Sequence, residues 1–568
     1  MSNYIAFTIA GKGVSCAPVY AGNGTMKTWN GSWSPSAPTE NDPATIASAG
    51  NPGSFVCNSL ILSANATLTG TQTIEVVNGV TGTGKITMSS ESSFVQRNPT
   101  ATAPAIELTK TTRPIKRFDY VYWGSPVSGN VFSQLNDAQV SGNATGAFDL
   151  KHRYVSGDAS ASGGWQTLTA TENGKGFIMR VKEQTPFTTS TATASINLKF
   201  TGTANNGTLT VPVTQVGGTS ARNNNLLANP YPSAIDADKF LTQNQGVIDG
   251  VIYLWKANTL NTGSVAYSVA DYVAYTKAGS SASVYSGVAT TGFDGKIASG
   301  QGFKVKALSN SNVEFNNCMR VATAGSNSQF FRTTNAYAGI DDSTKDRFKL
   351  NLETSEGIAS QILVAYLPET TLAYDYMYDA ELLSVSPNRL FSILDNDSMQ
   401  LAINARPTFE NTDEVKIGFA KANAIASQMT VSVADKEGVF ANNQTPIYLY
   451  DAQLNTYHDF ANGAYTFTSL ETENTSRFKV VYQNAALGNQ NIDDLQVTAF
   501  INNNIFSLAT NKEVKSIQIF DLAGRLVASI DGKKQKNISS DFNNSKAIYL
   551  AKIYFVDGTI TSQKLINK

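Results

Sequence analysis

Apolar and polar residues alternate with period two along most of this chain, the spacing of strands that turn one face to a core. The pattern is cleanest between residues 330 and 486, where Phe348/Leu350/Leu352, Ile362/Val364/Tyr366, Met429/Val431/Val433 and Ile447/Leu449 each set one apolar face inward. Arg347-Phe348-Lys349-Leu350 and Arg477-Phe478-Lys479-Val480 read as the opening and closing strands of one antiparallel sandwich, Greek-key or jelly-roll in type. Two stretches, 365–382 and 416–427, are open to a helical reading, and we take both as mainly strand and loop. Between 111 and 325 the strands are dispersed among Gly and Thr, as at Tyr120–Trp123, 176–181, 196–200, 251–255 and 302–305. Asn229-Pro230-Tyr231-Pro232-Ser233 is a turn signal, because each residue before a proline is pushed to extended geometry. Ser233 then stands where it would cap a short helix over 234–241. The Thr/Ser tract 188–195 reads as a hairpin tip or loop.

In the first hundred residues the apolar pairs Leu60/Leu62, Ile74/Val76 and Ile86/Met88 recur at a spacing near twelve, separated by Gly, Asn, Thr and Ser. A repeat that short holds no helix, so it predicts a few rungs of a β-solenoid or a meander. The expected fold class is all-β and multidomain. Its parts are a repeat-like segment over 1–109, a β-rich domain over 110–328, an antiparallel sandwich over 329–486, a linker over 487–495, and an Ig-like sandwich over 496–568.

Composition narrows the class. Charged residues are only 15% and the formal net charge is −1, which excludes the basic stripe of a nucleic-acid binder and the charge of a disordered acidic tail. No stretch of eighteen apolar residues exists, so no spanning helix is expected. The three cysteines are an odd number: Cys16 and Cys57 could pair and leave Cys318 over, or all three could be isolated buried side chains. Residues 1–11 lack a basic n-region and carry too short an apolar run for a typical signal peptide, so we expect the chain to begin inside a longer precursor.

Candidate chemistry is sparse. His152 lies in Lys151-His152-Arg153 and His458 in a polar turn before Asp459, both expected at the surface. Two histidines and no Cys-x-x-Cys leave no catalytic residue and no metal or cofactor site to nominate. A carboxylate pair for glycoside hydrolysis would have to come from Asp375/Asp379 or Asp395/Asp397, both in turn-like contexts. Asp395-Asn396-Asp397-Ser398 lacks the glycine and glutamate of an EF-hand. Trp29 and Trp33 sit in Asn/Gly/Ser loops, where exposed rings would stack on a glycan or other surface ligand, although a β-sandwich usually buries its tryptophans.

The last eighty residues say more. A polar stretch at 489–494 leads into alternating apolar positions, then Phe520-Asp521-Leu522-Ala523-Gly524-Arg525, a tight turn in which Gly524 accommodates a positive φ. Leu526 follows, then Ala547-Ile548-Tyr549-Leu550, Asp557-Gly558, and Lys564 and Lys568 flanking Leu565-Ile566. This arrangement resembles the type A C-terminal sorting domain of proteins exported by the type IX secretion system of gliding and oral Bacteroidota. On that resemblance Asp521, Gly524, Arg525, Leu526, Tyr549, Gly558, Lys564 and Lys568 form the sorting signal. The Gly-x-Tyr usual in the family is Ala547-Ile548-Tyr549 here, so only the tyrosine carries over.

The resemblance implies recognition by the outer-membrane translocon and its shuttle barrel, then cleavage by a cell-surface sortase. It also implies an extracellular or outer-membrane-surface location, with no nucleic-acid partner. The expected role is a non-enzymatic, adhesin-like or structural surface protein; the alternative is a carbohydrate-binding or glycoside-hydrolysing one with the same tail. Residues 511–568 carry ten Lys/Arg against five Asp/Glu, a charge that would steer the tail to an acidic receptor or simply protect strand edges. A last strand could dock by strand addition. The exposed polar stretch 486–495 is the expected cleavage zone.

Overall fold

The structure is a computed structural model that describes residues 16–140, 145–158, 164–216, 223–256, 272–281, 293–328, 345–355, 357–382, 388–395, 398–483 and 497–567. It is all-β with a few short helices, and its backbone separates into two compact units, Met1–Tyr482 and Gln483–Lys568. Among the described residues no helix is long and apolar enough to cross a membrane.

The first unit opens with a β-solenoid. Pro43–Ile46, Ser59–Leu62 and Val80–Gly82 stack in parallel on one face. Phe55–Cys57, Thr73–Val76 and Ser93–Gln96 form a second face, and Ala66–Leu68, Lys85–Met88 and Ala105–Thr111 a third. The registers pair Leu60 with Val80, Ile74 with Phe94 and Ile86 with Ile106, so one coil takes twenty residues. The spacing near twelve seen in the sequence is therefore the step between faces of one coil and not the repeat itself. An asparagine ladder marks the true period: Asn78 Nδ2 donates to Asn58 Oδ1 and Asn98 Nδ2 to Asn78 Oδ1, both at 3.1 Å. At one corner Gly82 has φ +100°, and a Cβ there would meet the Leu62 carbonyl oxygen at 2.3 Å, so only glycine fits.

The third face does not stop at residue 109. Ala105–Thr111 also pairs antiparallel with Ile196–Thr203, and one apolar core runs from Ala44 through Phe200. A second core gathers around the helix Ala237–Gln243. That helix starts later than expected. Ile235–Asp236 first pairs with Lys296–Ile297 as strand, and Asp236, not Ser233, caps the helix by accepting from Lys239 N at 3.1 Å. The disulfide is also not the one considered. Cys16 is bonded to Cys318 across 302 residues, while Cys57 points into the solenoid core with Phe55 and stays a free thiol.

From Asp346–Thr354 to Glu473–Val481 a single eleven-stranded sheet curls around its own core of Phe348, Ile362, Phe419, Phe467 and Phe478. Its pairing is antiparallel except where Gly357–Tyr366 runs parallel to Gln400–Arg406, a crossover that the alternation alone did not reveal. The two stretches open to a helical reading are strand ends and loops, bounded by Ala380–Glu381, Glu414–Ala420 and Ser427–Glu437.

Among the described residues the second unit has five strands: Val497–Asn502, Ile505–Asp521, Leu526–Asp541, Ile548–Phe555 and Ile560–Ile566. Two of them are long and bulged. The early half of Ile505–Asp521 pairs with Val497–Asn502 and its late half with Ile548–Phe555, with register shifts between Ala509 and Ser516. One strand thus does the work of two in closing a core around Phe506, Ile517, Ile519, Ile553 and Phe555.

Candidate docking face of the C-terminal unit

Ile505–Asp521 ends in the turn the sequence pointed to. Asp521 N donates to the Arg525 carbonyl at 3.0 Å, and Gly524 has φ +79°. The Asp521 carboxylate organises the turn: Oδ1 accepts from Arg525 N at 2.9 Å and Ala523 N at 3.1 Å, and Oδ2 accepts from Arg525 Nε at 3.0 Å. These donors, the Arg525 amide first, hold its pKa below the usual carboxylate range. The Arg525 side chain is 81% exposed, so its pairing with Asp521 is a surface one.

Beside this turn lies a groove of about 460 Å³ lined by Phe520, Asp521, Leu522, Gly524, Ile548, Tyr549, Leu550 and Lys564. Strand register builds it. Phe520 stands opposite Leu550 on one side and Leu526 on the other, Leu550 stands opposite Lys564, and Ile548 opposite Ile566. Alternation turns Tyr549, Ala551 and Ile553 into the core and leaves their neighbours outside. Leu522 is consequently 79% exposed, Leu526 48%, Leu550 46% and Ile566 48%, a cluster of large apolar side chains in water.

The eight predicted sorting residues part company here. Asp521, Gly524, Tyr549 and Lys564 line the groove, and Arg525 and Leu526 continue the same turn. Tyr549 is itself buried, its hydroxyl donating to the Ser545 carbonyl at 2.8 Å and its ring edge-on to Phe542 at 5.0 Å. Gly558 lies in the opposite hairpin, with φ +88°, where Asp557 pairs with Lys512 at 2.9 Å. Lys568 and the proposed cleavage zone over 486–495 lie outside the described residues. The groove residues Phe520, Leu522, Ile548 and Leu550 lie in the quoted runs but outside the expected sorting signal, although outward alternation of apolar residues in a terminal strand was the signal for them.

The other candidates settle into structural company. Trp29 and Trp33 are half-buried on the first coil, ring centroids 6.0 Å apart, with Trp33 edge-on to Phe55 and donating from Nε1 to the Pro52 carbonyl. Asp375 caps Thr371 N at 2.6 Å. Asp379 is fully buried, accepts from Asp375 N and Ala405 N at 2.7 Å each, and is pushed up to about 7 by burial. Asp395 pairs with Arg406 at 3.0 Å, and Asp397 lies outside the described residues. His458 Nε2 meets the Gly463 carbonyl at 2.9 Å, and His152 is half-buried in the strand Phe148–Tyr154. Among the described residues no group of three or more His, Cys, Asp or Glu could hold a metal ion.

Comparison with known proteins gives a family and little else. The model of a family described as a domain of unknown function (DUF8693) matches residues 19–482. No curated protein matches the chain. Among solved structures, CopC from Methylosinus trichosporium OB3b is 21% identical over 12% of this chain and 80% of its own, with a TM-score of 0.10. The BSP domain of a biofilm associated protein is 9% identical over 63% of this chain and 81% of its own, with a TM-score of 0.13.

Proposed function

From a chain that belongs to the DUF8693 family over residues 19–482, followed by a separate C-terminal sheet, we propose an exported surface protein whose last unit is its address. In this reading the DUF8693 region is the cargo, an adhesin-like or structural β-module without catalysis. The C-terminal unit is a type A sorting domain read by the type IX outer-membrane translocon and its shuttle barrel. The mature protein is then extracellular or held at the outer-membrane surface, after sortase cleavage in 486–495.

One observation carries the proposal: the groove at the Asp521 turn and the exposed leucines beside it. Monomers rarely leave such a cluster in water unless something covers it, and here it sits beside the cationic Lys564 and Arg525. Among the described residues the strand Ile560–Ile566 hydrogen-bonds as a ladder with Ile548–Phe555, which sets Lys564 beside Leu550 at the groove. The test is delivery in a host with an intact type IX exporter. The chain behind a signal peptide is compared with the same chain ending at residue 558, and with the intact chain in a host lacking the translocon. Surface or medium delivery that is lost in both controls supports the address. Equal delivery in all three would sink it.

A further inference from the structure

The first unit holds an aromatic cluster that the export reading does not use. It forms where two sheets meet, one containing Tyr120–Trp123, Phe148–Tyr154, Trp165–Thr167 and Phe177–Val181, the other Ile252–Trp255, Tyr272–Thr276 and Gly302–Lys306. Tyr122 stacks on Trp255 at 5.3 Å and 13°, and both are buried. They form the floor. Above them Trp165 stands edge-on to Tyr154 at 5.0 Å, and Tyr272 edge-on to Trp255 at 5.0 Å. A Tyr122–Tyr272 hydroxyl contact of 2.6 Å ties rim to floor. Tyr154, Trp165 and Tyr272 remain partly exposed.

Lys304 stands among these three rings, its Nζ 5.1 Å from the Tyr154 centroid, 5.2 Å from Trp165 and 5.0 Å from Tyr272. The rings attract the ammonium through their faces, but they accept no full hydrogen bond. Among the described residues the Lys304 side chain makes no hydrogen bond and no ion pair, and it is partly exposed, so its N–H donors are open to water or to a ligand. The Trp165 indole N–H likewise has no partner among the described residues, at the edge strand Trp165–Thr167. His152 lies on the face of its strand that carries Tyr154, and its Nδ1 is buried without a hydrogen-bond partner. Flat rings and unused donors around one cation suit a ligand that has both an apolar face and an anionic group.

We propose that Tyr154, Trp165, Tyr272 and Lys304 bind an acidic saccharide, its pyranose face against the rim aromatics and its carboxylate on the Lys304 ammonium. A neutral sugar would leave that ammonium unanswered, and an acidic peptide would leave the rings without a flat partner. The site is independent of the export reading, since it lies wholly in the first unit.

The test uses the full chain and oligogalacturonate of five or six residues as probe, with its methyl ester as the neutral match and hexaglutamate as the acidic peptide. Tryptophan fluorescence and calorimetry follow binding. Wild type should bind the acidic saccharide at least about ten-fold tighter than the ester, and the preference should shrink as salt rises. Lys304→Met keeps the stem among the rings and should abolish the preference, while Lys304→Arg should retain most of it. Trp165→Leu should weaken acid and ester alike. Thermal melting checks each variant, and the salt dependence and ester comparison on wild type stand even if a variant does not fold. Hexaglutamate binding as tightly as the saccharide would overturn the assignment to sugars. No binding of any probe, or a Lys304→Met variant that melts and binds like wild type, would overturn the site.

Discussion

The solenoid and the C-terminal sheet are built from the same alternating strands, yet they spend their apolar residues differently. In the solenoid each coil covers the next: Leu60, Ile74 and Ile86 are at most 1% exposed, and even the polar Asn58, Asn78 and Asn98 bond to one another. In the C-terminal sheet Leu522, Leu526, Leu550 and Ile566 stay in water. Aspartates repeat the contrast. Asp249 is buried in the first unit and pushed up to about 7, whereas turn amides hold the Asp521 carboxylate below its ordinary range. Burial of like on like signals stability, and an uncovered apolar face signals a partner.

Breaking the buried side should cost the most. Phe94 is fully buried on the last solenoid coil, where its amide donates to the Pro232 carbonyl and its carbonyl accepts from Arg320 Nη2 at 2.6 Å. Phe94→Ala removes the ring and leaves a cavity, so a loss of about 3–5 kcal/mol is expected in denaturant unfolding of the first unit. A loss below about 1 kcal/mol would mean the coil end collapses freely.

Next comes Asp249. Burial is the main cause of its raised pKa, opposed by the Val251 amide and the Lys306 charge. An unfolded aspartate titrates near 3.9, roughly three units lower. Between those values the folded chain holds a proton that the unfolded chain has released, so stability should fall as pH rises from about 4 to 7. Asp249→Asn keeps an oxygen for Val251 N and removes the titration. It should raise stability at pH 8 by on the order of 2 kcal/mol and lessen the fall of melting temperature with pH over that window, with Asp379, raised into the same range, keeping its own share. An unchanged pH profile would show that Asp249 is ionised at little cost.

Asn78→Ala is a smaller wound in the same region. It removes donation to the Tyr20 carbonyl at 2.9 Å and to Asn58 Oδ1, and it leaves Asn98 Nδ2 without its rung. The expected loss is about 1–2 kcal/mol, read by thermal melting. A neutral effect would assign the ladder's hydrogen bonds to water.

The sequence disclosed strands far better than their grouping. Alternation in 330–486 marked the strands but not the parallel pairing of Gly357–Tyr366 with Gln400–Arg406, because side-chain period is blind to strand direction. The twenty-residue coil hid behind the twelve-residue step, since three faces of one coil carry similar Ile, Leu and Val pairs. Cys16 and Cys318 could not be matched across 302 residues, as spacing says nothing about which distant segments meet. At the C-terminal turn the short run around Asp521 was legible because local hydrogen bonds make it. The groove was less so: Leu550 and Lys564 reach it only through register. Tyr154, Trp165, Tyr272 and Lys304 span some 150 residues and share no motif, so no sequence pattern could have gathered them.

The smallest effect on stability should carry the largest one on delivery, and it sharpens the contrast between the two regions most. Leu522 is 79% exposed at the tip of the Asp521 turn, and Leu550 is 46% exposed beside the groove. Neither holds up the core, which alternation gives to Tyr549, Ala551 and Ile553. Replacing both with serine should therefore shift melting of the C-terminal unit by no more than about 0.5 kcal/mol per site. If the apolar cluster is the surface an exporter covers, the same double variant should lower surface delivery at least about ten-fold, the loss equivalent to about 1.4 kcal/mol of docking. Ile553→Val supplies the opposite pattern, because Ile553 is fully buried in the core of this unit and does not line the groove. It should lower stability by about 1 kcal/mol and leave delivery of the folded fraction unchanged. Serine variants that are delivered like wild type would turn the exposed leucines into an ordinary surface and move the address elsewhere in the chain.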